Sequence, residues 1–357
     1  MSLPPSESLA PSNVLHTDDI STIVDSKSPL FRRNPVYKPF SYPWAYTAWL
    51  TQQRIHWLPD EVPMTDDIKD WTARLTLVER NLLTQIFRFF TQMDVEVGNC
   101  YLNYYCRIFQ PTEIKMMLSA FANMEAVHVA AYSHLLDSLG IPEIEYSAFL
   151  KYKEMKDKWD YMQQFQSDDN TIKGLALTIA AYGAFTEGLQ LFASFAMLLN
   201  FPRFNKMRGM GQIVTWSIRD ETLHIHSMIK LFHAILAEHP GLWTPGLQAQ
   251  ILMIAQTMVE HEDAFIKLAF EMGPIEGLSI DEMCAYIRYI ADRRLEQLGM
   301  PAFYNISKNP LPWMDDMLGG IEYSNFFESR ATEYSKSATE GTWEDVFPLM
   351  LDESANL

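Results

Sequence analysis

Two glutamate–histidine pairs set the chemistry this sequence can do. Glu125 and His128 stand in Met124-Glu125-Ala126-Val127-His128, and Glu221 and His224 in Asp220-Glu221-Thr222-Leu223-His224. Both lie in stretches of helical periodicity. Positions i and i+3 of a helix share a face, so each pair aims a carboxylate and an imidazole the same way. Two more acids, Asp94 and Glu187, sit alone in otherwise apolar helical stretches. One Glu-x-x-His pair arises by chance in many helical proteins. Two such pairs, with isolated acids on two other apolar helices, make the ligand set of a carboxylate-bridged dinuclear metal site in a four-helix bundle. Four ionised carboxylates in an apolar core are strongly unfavourable unless paired, and two divalent cations cancel four negative charges. One imidazole per metal with shared carboxylates suits iron or manganese. Oxidation to the trivalent state adds charge that oxo or hydroxo bridges balance. The expected cofactor is therefore a pair of metal ions, di-iron-oxo first and manganese second, with dioxygen as co-reactant.

Tyr132 follows His128 by four residues and so stacks one turn along the same face, within roughly 5–6 Å between Cβ atoms. Beside an oxygen-activating metal pair it is placed to lose an electron and a proton and become a tyrosyl radical. Phe121, Phe195 and Leu191 are candidates to shelter it. Taken singly, most of these residues have ordinary explanations. Asp94 alone would read as a helix-surface acid, as Glu96 two positions on still does. Tyr132 alone would be core packing, and His233 a core or surface histidine. His226, two past His224, should face away. Glu187 in its long apolar helix is hard to explain without a partner.

The elements that must hold these residues are helices. An aromatic-rich segment gives a short helix over 43–57, ended by Pro59 and Pro63. Thr76-Leu-Val-Glu79 has the form of a capping box and opens a helix expected to run to about 109. Further helices are expected over 112–139, 144–166, 171–200, 205–238, 245–271 and 280–298, with no strand-like alternation long enough for a sheet. The expected fold is all-α, a helical bundle with extra helices. Residues 1–30, rich in Ser, Pro and Asp, read as a mobile arm, 31–324 as the dinuclear-metal domain, and 325–357 as a flexible tail.

Composition bounds the rest. Nearly half of the 357 residues are apolar, enough for a large core. A net charge of −17 disfavours nucleic acid and anionic membrane as partners. Three cysteines without a CxxC, and no basic–apolar leader, fit a reducing cytoplasmic setting. From Leu175 to Phe201 only Glu187 is charged, long enough to read as a membrane span. A charge in mid-bilayer is costly, and a buried core helix is the preferred reading.

Together Asp94, Glu125-x-x-His128 with Tyr132, Glu187, and Ile218-Arg219-Asp220-Glu221-x-x-His224 resemble the small, radical-generating subunit of class I ribonucleotide reductases. The resemblance extends from about Tyr37 to the C-terminus. It implies a ferritin-like bundle, usually a homodimer, whose metal pair and oxygen oxidise the tyrosine. It also implies a separate large catalytic subunit, which takes the radical and reduces ribonucleotides to deoxyribonucleotides. By the same resemblance Trp57, in Ile55-His56-Trp57-Leu58-Pro59, begins the transfer route, Asp220 pairs with it, and His128 links both to a metal. Tyr334 corresponds to a relay tyrosine in the tail and Glu328 to the glutamate that accompanies it. The acidic tail, with Trp343, Val346, Phe347 and Leu351, is suited to docking on the large subunit. The absence of a cysteine pair for ribose reduction and of a glycine-rich phosphate loop fits this division of labour.

Two positions depart from well-studied iron members: Leu191 replaces a phenylalanine and Ser217 an aliphatic residue. Both bear on radical lifetime and metal choice. Tyr132 argues against the type that stores its oxidant on manganese and iron, but does not separate di-iron from dimanganese. A dimanganese site would bring in a flavoprotein activator in some branches. Two rivals of the same bundle architecture are a ligand-binding oxidase and a non-radical iron store.

Overall fold

The structure is a computed structural model. It describes residue 23 and residues 26–165 and 171–317. The expected tail, with Glu328 and Tyr334, and nearly all of the N-terminal arm lie outside the described residues.

Twelve α-helices are named here in chain order. α1 is Pro43–Arg54, α2 Thr65–Lys69, α3 Leu77–Phe87, α4 Phe90–Asn99, α5 Cys106–Ile108 and α6 Thr112–Leu139. α7 is Lys153–Gln163, α8 Ile172–Ile179, α9 Leu191–Arg203, α10 Arg208–Glu238, α11 Pro245–Ala269 and α12 Ile280–Gln297. No strand occurs among the described residues. The all-α expectation therefore holds. α4, α6, α10 and the α8–α9 region enclose the centre. α1 packs across α6, and α11 and α12 pack against each other and against the outer side of the α8–α9 region.

Local chemistry sets many of the helix ends. At α3 the Thr76 hydroxyl accepts from the Glu79 amide at 3.2 Å, and the Glu79 carboxylate accepts from the Thr76 amide at 2.9 Å. α6 ends where Gly140 turns left-handed at φ 70°. α10 has no side-chain cap of its own. Instead Asp67 accepts from the Gly209 and Met210 amides, both at 2.8 Å, and Asp70 from Met207 at 2.7 Å. Carboxylates at a helix N-terminus satisfy its free amides and complement its dipole. They also fix the start of the helix that carries Asp220, Glu221 and His224.

Three expected helices are interrupted. The run over 76–109 breaks at Phe89 (φ −127°, ψ −24°) without proline or glycine. Tertiary contacts hold the break: Arg88 bonds Glu145 and Tyr152 at 2.6 and 2.7 Å, and Phe89 packs on Phe149 at 5.5 Å. After α4 the chain widens into a π-helical segment, Cys100–Tyr105. The run over 144–166 is two 3₁₀ turns followed by α7. The run over 171–200 is α8, a π-helical segment Ala180–Gln190, and α9. Such widening recurs at functional sites, and here it contains Glu187. Two glycines let neighbours close on it. A Cβ on Gly183 would lie 2.7 Å from Met228 Cβ, and one on Gly188 would meet the Arg294 guanidinium.

Ile172–Arg203 is long and apolar enough to cross a membrane, yet 94% of its apolar window is buried inside the molecule. It is a core helix, as preferred from the sequence. Glu96 departs from expectation. It is buried between α4 and α7, where Gln92, Trp159 and Gln163 donate to it at 2.8–3.0 Å.

Candidate metal centre

Four helical regions each contribute acids to one buried point: Asp94 from α4, Glu125 with His128 from α6, Glu187 from the π-helical segment Ala180–Gln190, and Glu221 with His224 from α10. All six residues are at most 1% exposed. Ligand atoms of Glu125, Glu187, Glu221 and His224 lie within 4.8 Å of one another. His128 joins them, its Nδ1 lying 3.2 Å from Glu221 and 3.4 Å from Glu125. Nδ1 of His224 lies 3.0 Å from Glu125. Asp94, on the next helix, is close enough for the charges of Glu125 and Glu221 to act on it.

The donor set fits a pair of cations. Asp94 Oδ2, both oxygens of Glu125 and Glu221, Glu187 Oε2, and Nδ1 of both histidines are buried without a hydrogen-bond partner in the protein. Buried polar atoms are nearly always satisfied. Most of these eight contact one another across the centre, as the imidazole–carboxylate distances show, so the protein leaves without hydrogen bonds the atoms that would be ligands.

Protons balance some of the charge in the metal-free chain. Burial and the neighbouring Glu125 hold the Asp94 carboxyl well above its ordinary range, and burial and Glu221 do the same for Glu187. Burial alone would lower His128, but Asp220, Glu125 and Glu221 outweigh it and raise it well above 6.5. His224 is pushed up to about 10 by Glu125 and Glu221 against the effect of burial. Burial would raise Glu125, yet the two imidazoles hold it down to about 2.

The outward nitrogens of both histidines are tied to the protein. His128 Nε2 lies 3.1 Å from Asp220 Oδ2, and His224 Nε2 lies 3.2 Å from the Gln52 carbonyl oxygen. The Gln52 amide in turn donates to Asp220 Oδ1 at 3.1 Å. An ionised carboxylate only accepts, so this chain of bonds puts the proton of each imidazole on Nε2 and leaves Nδ1 to bind metal. Trp57 Nε1 donates to Asp220 Oδ2 at 2.8 Å, and its ring stacks on His128 at 6.0 Å. Trp57, Asp220 and His128 thus form one hydrogen-bonded line to the centre.

Tyr132 is buried beside Asp94. Its hydroxyl donates to Ser217 Oγ at 2.9 Å, so the serine in place of an aliphatic residue is a direct partner of the phenol. Phe90 meets the Tyr132 ring edge-on at 4.7 Å and Phe195 backs Phe90 at 5.5 Å. Phe121 packs on the His224 ring at 4.2 Å instead. Three neighbours were not foreseen: Phe90, Gln52 and Tyr101. Tyr101 is fully buried and donates to Glu187 Oε1 at 2.7 Å. It lies seven residues after Asp94, two turns along one face, and that spacing was its one signal in the sequence. Gln52 carried none.

Residues 34–310 match the sequence profile of the family described as ribonucleotide reductase, small chain. The chain belongs to that family. It is a subunit of a ribonucleoside-diphosphate reductase, an oxidoreductase that works together with a large subunit. It is 43% identical over 323 residues to a protein of Invertebrate iridescent virus 3 named as a probable ribonucleoside-diphosphate reductase small subunit, covering 86% of each chain. It is 34% identical over 309 residues to the ribonucleoside-diphosphate reductase subunit beta of Chlamydia pneumoniae, covering 83% of this chain and 88% of that one. In fold it is similar to the ribonucleotide reductase R2 subunit from Clostridium botulinum, with TM-score 0.72 and 24% identity, covering 78% and 88% of the two chains. The bundle around the centre is the ferritin-like arrangement of these small chains, with α1, α7, α11 and α12 packed outside it.

Proposed function

We propose that this small subunit holds two metal ions between Asp94, Glu125, His128, Glu187, Glu221 and His224, and that Tyr132 is the residue oxidised to a radical. Bound metal supplies the one-electron oxidising chemistry that dioxygen makes available. The protein's part is geometric. Its helices bring the carboxylates to one point, Asp220 and Gln52 fix the imidazole tautomers, and the apolar core keeps water from the phenol. Ser217 holds the Tyr132 hydroxyl in one direction, and the Phe90 ring covers its flank. The radical then leaves along His128, Asp220 and Trp57 towards Glu328 and Tyr334 in the tail, which docks on the large subunit. Iron is the first choice of metal. Manganese is the second, with a flavoprotein activator as in some branches. The subunit acts as a homodimer in the cytoplasm, where its three free cysteines stay reduced.

The single observation that carries this reading is the set of eight buried carboxylate and imidazole atoms without hydrogen bonds around one point. The test is to load the full chain with Fe(II), admit oxygen and record its EPR spectrum. A tyrosyl signal that vanishes in Tyr132→Phe is the expected result. Tyr334→Phe keeps the signal and abolishes turnover with the large subunit. If no metal combination yields a radical and the large subunit is not stimulated, the reading fails.

A further inference from the structure

A second buried tyrosine touches the centre, and its partner is better suited to accept a proton than that of Tyr132. Tyr132 donates to a serine hydroxyl, a very weak base. Tyr101 donates to a carboxylate, Glu187 Oε1, at 2.7 Å. Glu187 Oε1 also lies 3.8 Å from His224 Nδ1, and the other oxygen is buried without a hydrogen bond, so one carboxylate links the phenol to the centre. Beyond Tyr101 the aromatic rings continue. Tyr105 lies 5.8 Å away edge-on, and Tyr104 a further 5.6 Å. Tyr101 and Tyr105 are buried and Tyr104 is half-buried, so the series runs outwards. Tyr105 is held by a bond from its hydroxyl to the Thr178 carbonyl at 3.1 Å. All three sit on the π-helical segment Cys100–Tyr105, away from Trp57 and Asp220.

Electron counting gives this series a task. Reduction of dioxygen to the level of water takes four electrons. Two bound divalent metals would give two on going to the trivalent state, and Tyr132 would give one. We propose that Tyr101 gives the fourth. The inference rests on the dinuclear tyrosyl reading above. In the step, the O–H bond of Tyr101 breaks. Its electron goes to the oxygen-oxidised metal pair and its proton to Glu187 Oε1. Tyr101 is restored when a small one-electron donor from solution, such as ascorbate or a thiol, delivers an electron at Tyr104. That electron passes along the rings, and the proton returns from Glu187. Activation then needs no protein reductant at the moment oxygen reacts.

The test uses the full chain loaded anaerobically with two equivalents of Fe(II), mixed with oxygen without added reductant and freeze-quenched for EPR. A transient tyrosyl signal beside the lasting one is expected. With 3-fluorotyrosine at position 101 the transient signal gains fluorine hyperfine splitting, and the lasting one does not. Tyr101→Phe loses the transient signal and lowers the yield of the lasting radical. The fluorinated protein keeps the hydroxyl, so it decides the matter even where Tyr101→Phe binds iron poorly. If no signal carries fluorine splitting while the Tyr132 radical forms fully without reductant, Tyr101 is not the donor and the Tyr132 reading stands. If Trp57→Phe alone removes the transient signal, the electron enters by the other route and the proposal falls. If the unmodified chain gives no tyrosyl signal at all, both readings fall.

Discussion

Replacing Asp220 by asparagine should weaken metal binding although Asp220 touches no metal position. Its buried carboxylate has three hydrogen-bonding neighbours, Trp57 Nε1 at 2.8 Å, Gln52 Nε2 at 3.1 Å and His128 Nε2 at 3.1 Å, with Arg219 Nε farther off at 3.8 Å. An asparagine offers one oxygen and one NH₂ in the same space. If the oxygen stays toward Trp57 and His128, the NH₂ confronts the Gln52 amide. Gln52 must then turn over and present its own NH₂ to His224 Nε2. If the NH₂ faces Trp57 and His128 instead, His128 Nε2 must become an acceptor. In either orientation one imidazole is pushed to carry its proton on Nδ1, the atom proposed to bind metal. Losing an orienting partner of a ligand histidine typically lowers metal affinity about 10–100-fold, or about 1.4–2.8 kcal/mol. Alanine at the same place is a different perturbation. It strands up to three buried polar groups at about 1–3 kcal/mol each, a large share of a total stability of about 5–15 kcal/mol. The assay is anaerobic titration of the Asp220→Asn protein with Fe(II) or Mn(II), read by calorimetry and by thermal melts with and without metal. Wild-type affinity and an unchanged metal-induced rise in melting temperature would refute the tautomer argument.

Other outcomes follow from the same geometry. Metal uptake should release protons and strengthen as pH rises. The raised carboxyls Asp94 and Glu187 and the raised imidazoles His128 and His224 hold protons in the metal-free fold. A folded-state value raised above the unfolded one stabilises below the unfolded value, and that stability is lost as pH climbs through the raised one. The metal-free chain should therefore lose stability towards pH 10 while apparent metal affinity grows. Calorimetry in buffers of different ionisation enthalpy reads the protons, and a pH-independent affinity would contradict the assignment. Ser217→Ala should leave Tyr132 oxidisable but alter the g-values of its radical in high-field EPR, because the phenol loses its only described hydrogen bond; an unaltered spectrum would separate Ser217 from the radical. Lys158 and Glu262 form a fully buried ion pair between α7 and α11. Lys158→Met should cost about 3–5 kcal/mol by leaving Glu262 unpaired, and adding Glu262→Leu should recover most of it. Denaturant melts of the single and double variants check this, and an additive double variant would contradict it.

Much of the centre was legible because helical spacing is local. Glu125 with His128, and Glu221 with His224, share a helix face through backbone geometry alone, whatever surrounds them. The isolated acid Glu187 was legible for the opposite reason, as a charge with no local explanation in an apolar run. The break at Phe89 was not legible, since no proline or glycine marks it and its anchors, Glu145, Tyr152 and Phe149, come from a later part of the chain. Glu96 was misread because its partners Trp159 and Gln163 lie on a helix more than sixty residues away.

From the sequence came the paired acids and histidines on their helices, the all-α class and the buried character of the α8–α9 region. Composition and an i, i+3 repeat settle those without reference to distant residues. The tertiary structure alone decided which imidazole nitrogen faces the centre, because Asp220 and Gln52 reach the two histidines from other helices. It also decided that Ser217 is the partner of Tyr132 and that Tyr101 stands against Glu187. Hydrogen bonds act over about 3 Å, and only folding brings residues 85 or 86 positions apart to that distance.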